Sequence, residues 1–268
     1  MPDPKALAQE RFADPEPLAS GIDVLARCAT DPPRVVRGLV DAVRERVAQG
    51  GSVVELGFGS GWLLEELRAQ LGGVSLAGLD LSAALVRNAR DRYGDRVAAL
   101  AGDMERLPFR DGAFDVVITC WTLYFMNDID RALAGIARCL TPRGRLVVGA
   151  SAPDHEAEAA ALMMEAARGA LGRDPDAPDI GRRFDLETGE TQLRKHFARA
   201  EVRRWPGELV LTDLSDVMTL FPKWQPEGLD ADEIAAVRAS FERIAAERID
   251  RDGELRIRRR DGAFVCDG

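Results

Sequence analysis

Between Val53 and Leu64 the chain reads Val-Val-Glu-Leu-Gly-Phe-Gly-Ser-Gly-Trp-Leu-Leu, and few folds accommodate such a stretch. An apolar run ends at an acid, crosses glycines at three alternate positions and resumes as an amphipathic helix. This is the pattern of a buried strand that turns abruptly into a helix. Gly57, Gly59 and Gly61 let the turn bend tightly and let a ligand approach the backbone. Behind the turn, the first helical N–H groups point outward without partners and favour acceptors or anionic groups. The loop is a place for something small and polar. Its occupant is open at this point.

The rest of the chain supplies the setting. Asp31-Pro32-Pro33 opens a helix whose Val35, Val36, Leu39, Val40, Val43 and Val47 fall at helical spacing, and Gly50-Gly51 stops it. Strands are then predicted at 52–57, 74–80, 97–102, 114–120 and 145–150, with helices at 60–71, 82–93 and 129–140 between them. The strands are short continuous apolar runs, which is the signature of a parallel sheet covered on both faces. Right-handed crossovers make it doubly wound, with the ligand crevice at the carboxyl ends of the strands. Beyond residue 151 the pattern predicts helices at 154–171, 186–197, 213–221 and 230–249, and strands at 199–205 and 208–212. A loop with Pro175 and Pro178 follows the first of these helices. Glu254 to Cys266 reads as a hairpin around Asp261-Gly262, a strong two-residue turn signal. The first thirty residues read as one or two loosely packed helices.

Composition narrows the function classes. With 268 residues and 46% hydrophobic content, the chain can bury a large core as one α/β domain with a cap. A net charge of −9, with Arg256-Arg258-Arg259-Arg260 as the densest basic cluster, argues against nucleic acid as a partner. No run approaches the roughly 18 apolar residues of a membrane span, and the N-terminus has no apolar signal core. The expectation is a soluble, cytoplasmic protein with no membrane partner. The four cysteines are scattered and the two histidines, His155 and His196, lie far apart, so no metal site is expected. Arginine dominates over lysine, which occurs only at Lys5, Lys195 and Lys223, and alanine is abundant; both suggest a GC-rich bacterial genome. Monomer and homodimer stay equally open.

Two familiar occupants of a glycine loop can be set aside. A dinucleotide site places its third glycine at the position of Trp62, and a phosphate loop ends in Gly-Lys-Ser/Thr. What remains is acid-x-Gly-x-Gly-x-Gly, from Glu55 to Gly61. On these residues the chain resembles the class I S-adenosylmethionine-dependent methyltransferases, in particular the small-molecule branch that includes quinone-biosynthesis-like enzymes. Gly78-Leu79-Asp80-Leu81-Ser82 and Gly102-Asp103-Met104-Glu105-Arg106-Leu107-Pro108-Phe109 extend the likeness. So do Phe114-Asp115-Val116-Val117 and Leu140-Thr141-Pro142-Arg143-Gly144-Arg145-Leu146. Five motifs in the right order make the likeness specific over about residues 50–151; elsewhere it is one of general outline.

The resemblance implies an α/β fold: a doubly wound, seven-stranded, mostly parallel Rossmann-like sheet with helical cap segments. Lid helices would occupy 1–30, and a methyltransferase domain 31–268 would carry cap insertions at about 153–185 and 213–250. It implies S-adenosyl-L-methionine as cofactor. Gly57, Gly59 and Gly61 would hold the methionine carboxylate and amine, with Glu55 orienting that end through water. Asp80 would accept the ribose hydroxyls, such charge-assisted bonds being worth roughly 1.5–3 kcal/mol each. Asp103 would lie near the exocyclic amine of the adenine, and Leu81, Met104 and Thr119 complete the cofactor set. Asp115 reads instead as a turn-fixing acid, and Trp62 as a packing residue.

In this family the donor methyl points toward the end of the fourth strand, here Thr119 to Asp128. Many relatives carry a His pair where this chain has Tyr124-Phe125. That departure removes the obvious base and leaves an aromatic wall suited to an apolar or aromatic acceptor. Tyr124 and His155 are the candidate catalytic residues, the latter because it closely follows the fifth strand. His196, near a helix end, reads as solvated or dipole-facing. Phe12, Met163, Met164, Phe184, Phe221 and Trp224 are candidate lid residues. The expected activity is methyl transfer to O, N or C of a small metabolite. A cyclase, lyase or carboxyl-transfer enzyme on the same fold, and a non-catalytic cofactor sensor, are its rivals; Trp62 argues against a nicotinamide oxidoreductase.

Overall fold

The computed structural model describes residues 3–12, 16–175 and 180–268. Parts of the predicted segments 1–30 and 153–185, Pro178 among them, lie outside these ranges. Helices α1 (Pro4–Arg11), α2 (Glu16–Cys28) and α3 (Pro32–Arg44) come first. Then β1 (Ser52–Leu56), α4 (Trp62–Gln70), β2 (Ser75–Asp80), α5 (Ala83–Tyr93) and β3 (Ala98–Ala101) alternate as the apolar pattern predicts. They are followed by β4 (Phe114–Cys120), α6 (Ile129–Cys139) and β5 (Leu140–Ser151). Ser82 caps α5 by accepting the Leu85 N–H. These five strands pair in parallel in the order β3-β2-β1-β4-β5. Asp115 accepts the Ser52 N–H at 2.9 Å and so ties β4 to the start of β1, the structural role its position suggests.

The second half adds α7 (Ala157–Leu171), α8 (Gly189–Leu193), β6 (Arg199–Leu211), α9 (Leu214–Trp224), α10 (Ala231–Asp252) and β7 (Leu255–Asp267). The full sheet has seven strands in the order β3-β2-β1-β4-β5-β7-β6, with β7 antiparallel to both neighbours. Two sequence expectations fail here. The predicted strands 199–205 and 208–212 are one strand, because Pro206 lies on an edge strand where its missing N–H need not break the ladder. The predicted hairpin at Asp261-Gly262 is straight strand. Asp261 pairs with Ser151 and Trp205, and Gly262 with Ala150 and Arg204, so both sit inside the ladder. The glycine serves close packing: a Cβ there would meet Leu186 Cδ1 at 2.9 Å. The predicted helix 186–197 also shortens to α8.

Each face of the sheet is buried. Val54, Leu56, Val117 and Leu146 pack with Leu133 and Ile136 of α6 on one side. Val53, Ile118 and Val147 pack with Leu39, Val43 and Leu67 on the other. A third cluster lies beyond the sheet. Residues 255–260 of β7 pair only with β6, so the two strands project as a ribbon. Leu209, Leu211, Leu255 and Ile257 of that ribbon meet Leu162, Phe221 and Phe241 of α7, α9 and α10. Full burial of such side chains stabilises by roughly 1.5–3 kcal/mol each. The ribbon thus carries a helical cap beside the carboxyl ends of the parallel strands.

Candidate cofactor and acceptor site

β1 delivers Glu55 and then Gly57, Gly59 and Gly61 at φ of 71, 57 and 79°, a region in which a side chain is strained. The Gly59 N–H donates to Asp80 Oδ2 at 2.9 Å and the Ser82 N–H donates to Asp80 Oδ1 at 2.8 Å. The carboxylate at the end of β2 therefore locks the loop in place. Burial raises the Asp80 pKa, opposed by those backbone N–H groups. Glu55 is 2% exposed, and its Oε2 has no hydrogen-bond partner among the described residues. Burial, and then the nearby Asp80 charge, lift its pKa well above the usual carboxyl range. Both acids line one cavity of about 740 Å³, a size suited to small molecules. The orphaned, buried carboxyl oxygen beside a backbone cradle fits the ammonium end of an amino-acid-bearing ligand.

Gly57, Gly59, Leu81, Asp103 and Met104 line the same cavity. Gly61 and Thr119 are not part of its wall. The Gly61 carbonyl instead accepts the Tyr93 hydroxyl at 2.9 Å, and Thr119 is 1% exposed within β4. Asp103 has a partner that sequence reasoning missed. Lys5 of α1 donates to its Oδ2 at 2.9 Å and also lies 2.8 Å from Glu105. Burial pushes the Asp103 pKa up, but Lys5 and the Glu105 N–H outweigh it and hold the carboxyl below its ordinary value. α1 is thereby pinned at the predicted adenine end.

Phe12 meets Phe125 edge-on at 5.7 Å and Tyr124 packs on Phe125 at 4.7 Å, and the three rings form an aromatic stretch of the cavity wall. Burial pushes the Tyr124 phenol up to about 12. His155 lines the cavity, yet its Nδ1 accepts the Arg260 N–H at 2.9 Å and its Nε2 lies 3.1 Å from Glu156 Oε1. Nδ1 is thereby engaged, and Nε2 sits beside the Glu156 carboxylate. His196 lies 3.0 Å from Asp130, away from the cavity. Of the candidate lid residues, Phe12 and Phe184 line the cavity. Met163 and Phe221 are cap core, Met164 lies off the cavity, and Trp224 donates to Glu156 at 2.7 Å.

Sequence reasoning also missed Trp62, Trp121, Trp205, Ser151, Arg259 and Asp261, all of which line the cavity. Trp62 tilts against Trp121 at a ring separation of 6.3 Å. The ring of Trp205 occupies the space that a side chain at Gly38 would fill, a contact no local pattern announces. Asp261 was hidden by the turn signal it forms with Gly262.

Residues 54–148 match the family described as a methyltransferase domain. The chain is 31% identical over 114 residues to the malonyl-acyl-carrier-protein O-methyltransferase of Geobacter sulfurreducens, a match covering 41% of this chain and 42% of that one. It is 33% identical over 115 residues to the demethylmenaquinone methyltransferase of Thermus thermophilus, covering 42% and 51% respectively. The likeness thus spans about half or less of these curated relatives. In fold the chain is similar to the YcgJ protein from Bacillus subtilis, with a TM-score of 0.55 at 16% identity over 86% of this chain and 97% of that one. Residues 54–148 therefore carry a methyltransferase domain, and the sheet order accords with the class I S-adenosylmethionine-dependent methyltransferases that the chain resembles. S-adenosyl-L-methionine is the cofactor that this family and fold imply.

Proposed function

We propose that the chain transfers a methyl group from S-adenosylmethionine to O, N or C of a small metabolite with an apolar or aromatic body. A cytoplasmic, bacterial setting in secondary metabolism accords with the composition. The observation that carries this reading is the convergence of two buried acids, Glu55 and Asp80, and a positive-φ glycine loop on one cavity with an aromatic wall. The glycine loop would hold the methionine end of the cofactor, with Glu55 taking the ammonium, Asp80 accepting from the ribose, and Asp103, shared with Lys5, facing the adenine amine. When bound, the cofactor supplies a methyl group that is already activated.

The chain's remaining task is to orient the acceptor and exclude water, and such positioning supplies roughly 7–11 kcal/mol. Tyr124 keeps its proton, since burial pushes its pKa up to about 12, and acts as a wall that can donate a hydrogen bond. His155 spends Nδ1 on the Arg260 N–H and sets Nε2 beside the Glu156 carboxylate, so no dedicated base is assigned. The two curated relatives are named for very different acceptors, an acyl-carrier-protein-bound malonyl group and demethylmenaquinone, so neither name carries over. Calorimetry with S-adenosylmethionine, followed by turnover over a metabolite panel, tests the reading. S-adenosylhomocysteine should form in step with a methylated product. Absence of cofactor binding would sink the proposal, and product without S-adenosylhomocysteine would turn it toward cyclase, lyase or carboxyl-transfer chemistry.

A further inference from the structure

α1 forms part of the wall of the cavity that Glu55, Asp80 and Asp103 line, and Lys5, Ala8 and Phe12 fall on one of its faces at helical spacing. Its attachment differs from that of α3, which sinks Leu39, Val40, Ala42 and Val43 completely into the core. α1 buries no residue fully; Leu7, Ala8 and Phe12 only rest against the core. At 8 residues it is too short to persist alone, since isolated helices under roughly 12–15 residues are marginal in water. Its order comes from docking, and its polar contacts lie at its two ends. At the first end, Lys5 Nζ lies 2.9 Å from Asp103 Oδ2 and 2.8 Å from Glu105 Oε1. At the second, Arg11 Nη2 donates to the Lys223 and Pro222 carbonyls at 2.8 and 3.1 Å. Those carbonyls belong to the last turn of α9, where a helix leaves acceptors open. Beside them the Phe12 carbonyl accepts the Ser82 hydroxyl at 3.3 Å.

We propose that α1 is a strap that lifts to admit S-adenosylmethionine and closes over it, with Lys5 as the positioning residue that fastens it at Asp103. The proposal rests on the methyl-transfer reading for the identity of the ligand. Segments that open are drawn from the least stable parts of a fold, and α1 has that character. Lys5 need not leave for an adenine amine to bind. Asp103 Oδ1 accepts the Glu105 N–H and Oδ2 takes Lys5, and each carboxylate oxygen keeps a second lone pair. The ammonium holds the carboxylate in one orientation, so ligand and strap favour the same closed state. Glu105 carries the effect further. Its Oε1 also accepts the Asn127 and Asp128 N–H groups, at 2.7 and 3.2 Å, next to the turn that bears Tyr124 and Phe125. Closing α1 thus steadies that turn and sets Phe12 against Phe125.

Hydrogen exchange and stopped-flow binding on the full chain test the strap. Without ligand, the α1 amides should exchange about tenfold or more faster than those of α3. Saturating S-adenosylhomocysteine should slow them. Lys5→Met should speed both α1 exchange and S-adenosylhomocysteine dissociation about tenfold, with the denaturant midpoint unmoved. Lys5→Arg, which keeps the charge, should restore both rates. Protection of α1 equal to that of α3 in the free chain overturns the strap, as does unchanged dissociation in Lys5→Met. A midpoint that falls in Lys5→Met overturns it too, because the contact then serves general stability. If the chain binds no S-adenosylhomocysteine, the methyl-transfer reading falls. The strap is then decided by α1 exchange alone, compared between the wild-type and Lys5→Met chains.

Discussion

The two ends of the cavity are built on different scales of sequence. At the cofactor end, the bond that locks the site joins Gly59 to Asp80, residues 21 apart within one β–α–β unit. At the end formed by β5 and β7, the corresponding bond joins Ser151 to Asp261, residues 110 apart. The first end is shaped mainly by backbone that a glycine loop folds tightly and that Asp80 locks in place. The second works through charged and aromatic side chains that meet only when the sheet closes. Change at the first end should therefore strike cofactor affinity, and change at the second should strike stability and acceptor choice.

The largest effect is expected from Asp80→Ala. It removes the lock on Gly59 and the acceptor of the ribose hydroxyls together. Two charge-assisted bonds of roughly 1.5–3 kcal/mol each predict about a hundredfold or greater loss of S-adenosylmethionine affinity by calorimetry, against a smaller loss of stability. Unchanged affinity would remove the ribose assignment, and the contrast between the two ends with it.

Glu156→Gln probes the opposite end. Burial pushes the Glu156 carboxyl up, but Lys223, His155 and Arg259 outweigh it and hold the pKa well below the usual range. A depressed carboxyl contributes stability that is fully present above its unfolded value near 4.5 and is lost as pH falls through the folded value. The Lys223 side chain is 39% exposed, which softens the cost of breaking the pair to about 2 kcal/mol. Denaturant melts at neutral pH should show that loss, and the gap to wild type should close as the solution is acidified below the unfolded value. Cofactor affinity should not move. A gap that persists in acid would mean that the ion pair is not its source.

Legibility follows the same division. The strand–loop–helix around Glu55 was readable because its chemistry is contiguous: an acid, three alternating glycines and the following helix are one word of sequence. Asp80 and Asp103 were readable because the ends of β2 and β3 carry motifs of the same kind. Gly61 shows the limit, since the Tyr93 hydroxyl that meets it comes from another helix. Asp261-Gly262 shows the failure. A two-residue turn signal is a local preference, and pairing with β5 and β6 on both sides overrides it. Arg259 and Trp205 carry no local signature, because their work depends on partners from distant strands and helices. The lone lysine of α1, Lys5, was visible only as a composition anomaly.

A gentler probe of the cofactor end is pH. Burial and Asp80 keep Glu55 protonated to higher pH than an ordinary carboxyl. An incoming ammonium favours the ionised form, so binding releases a proton. Affinity should then rise with pH, by at most about tenfold per unit, up to the raised value of the free protein, and level off above it. Glu55→Gln should flatten that slope. A flat wild-type profile would show that Glu55 does not meet the charged end of the cofactor.

The smallest effect is expected at the aromatic wall. Tyr124→Phe deletes one hydroxyl from the aromatic wall and leaves its packing on Phe125 in place. With the phenol pushed up to about 12, its ionised form is scarce at neutral pH, so it offers little as a base. Cofactor affinity should be unchanged, and kcat should stay within about twofold if catalysis comes from positioning. A loss of a hundredfold or more in kcat with KM intact would make the hydroxyl a transition-state donor, and the wall would then be a catalytic surface in its own right. A rise in KM with kcat intact would place the hydroxyl in acceptor binding.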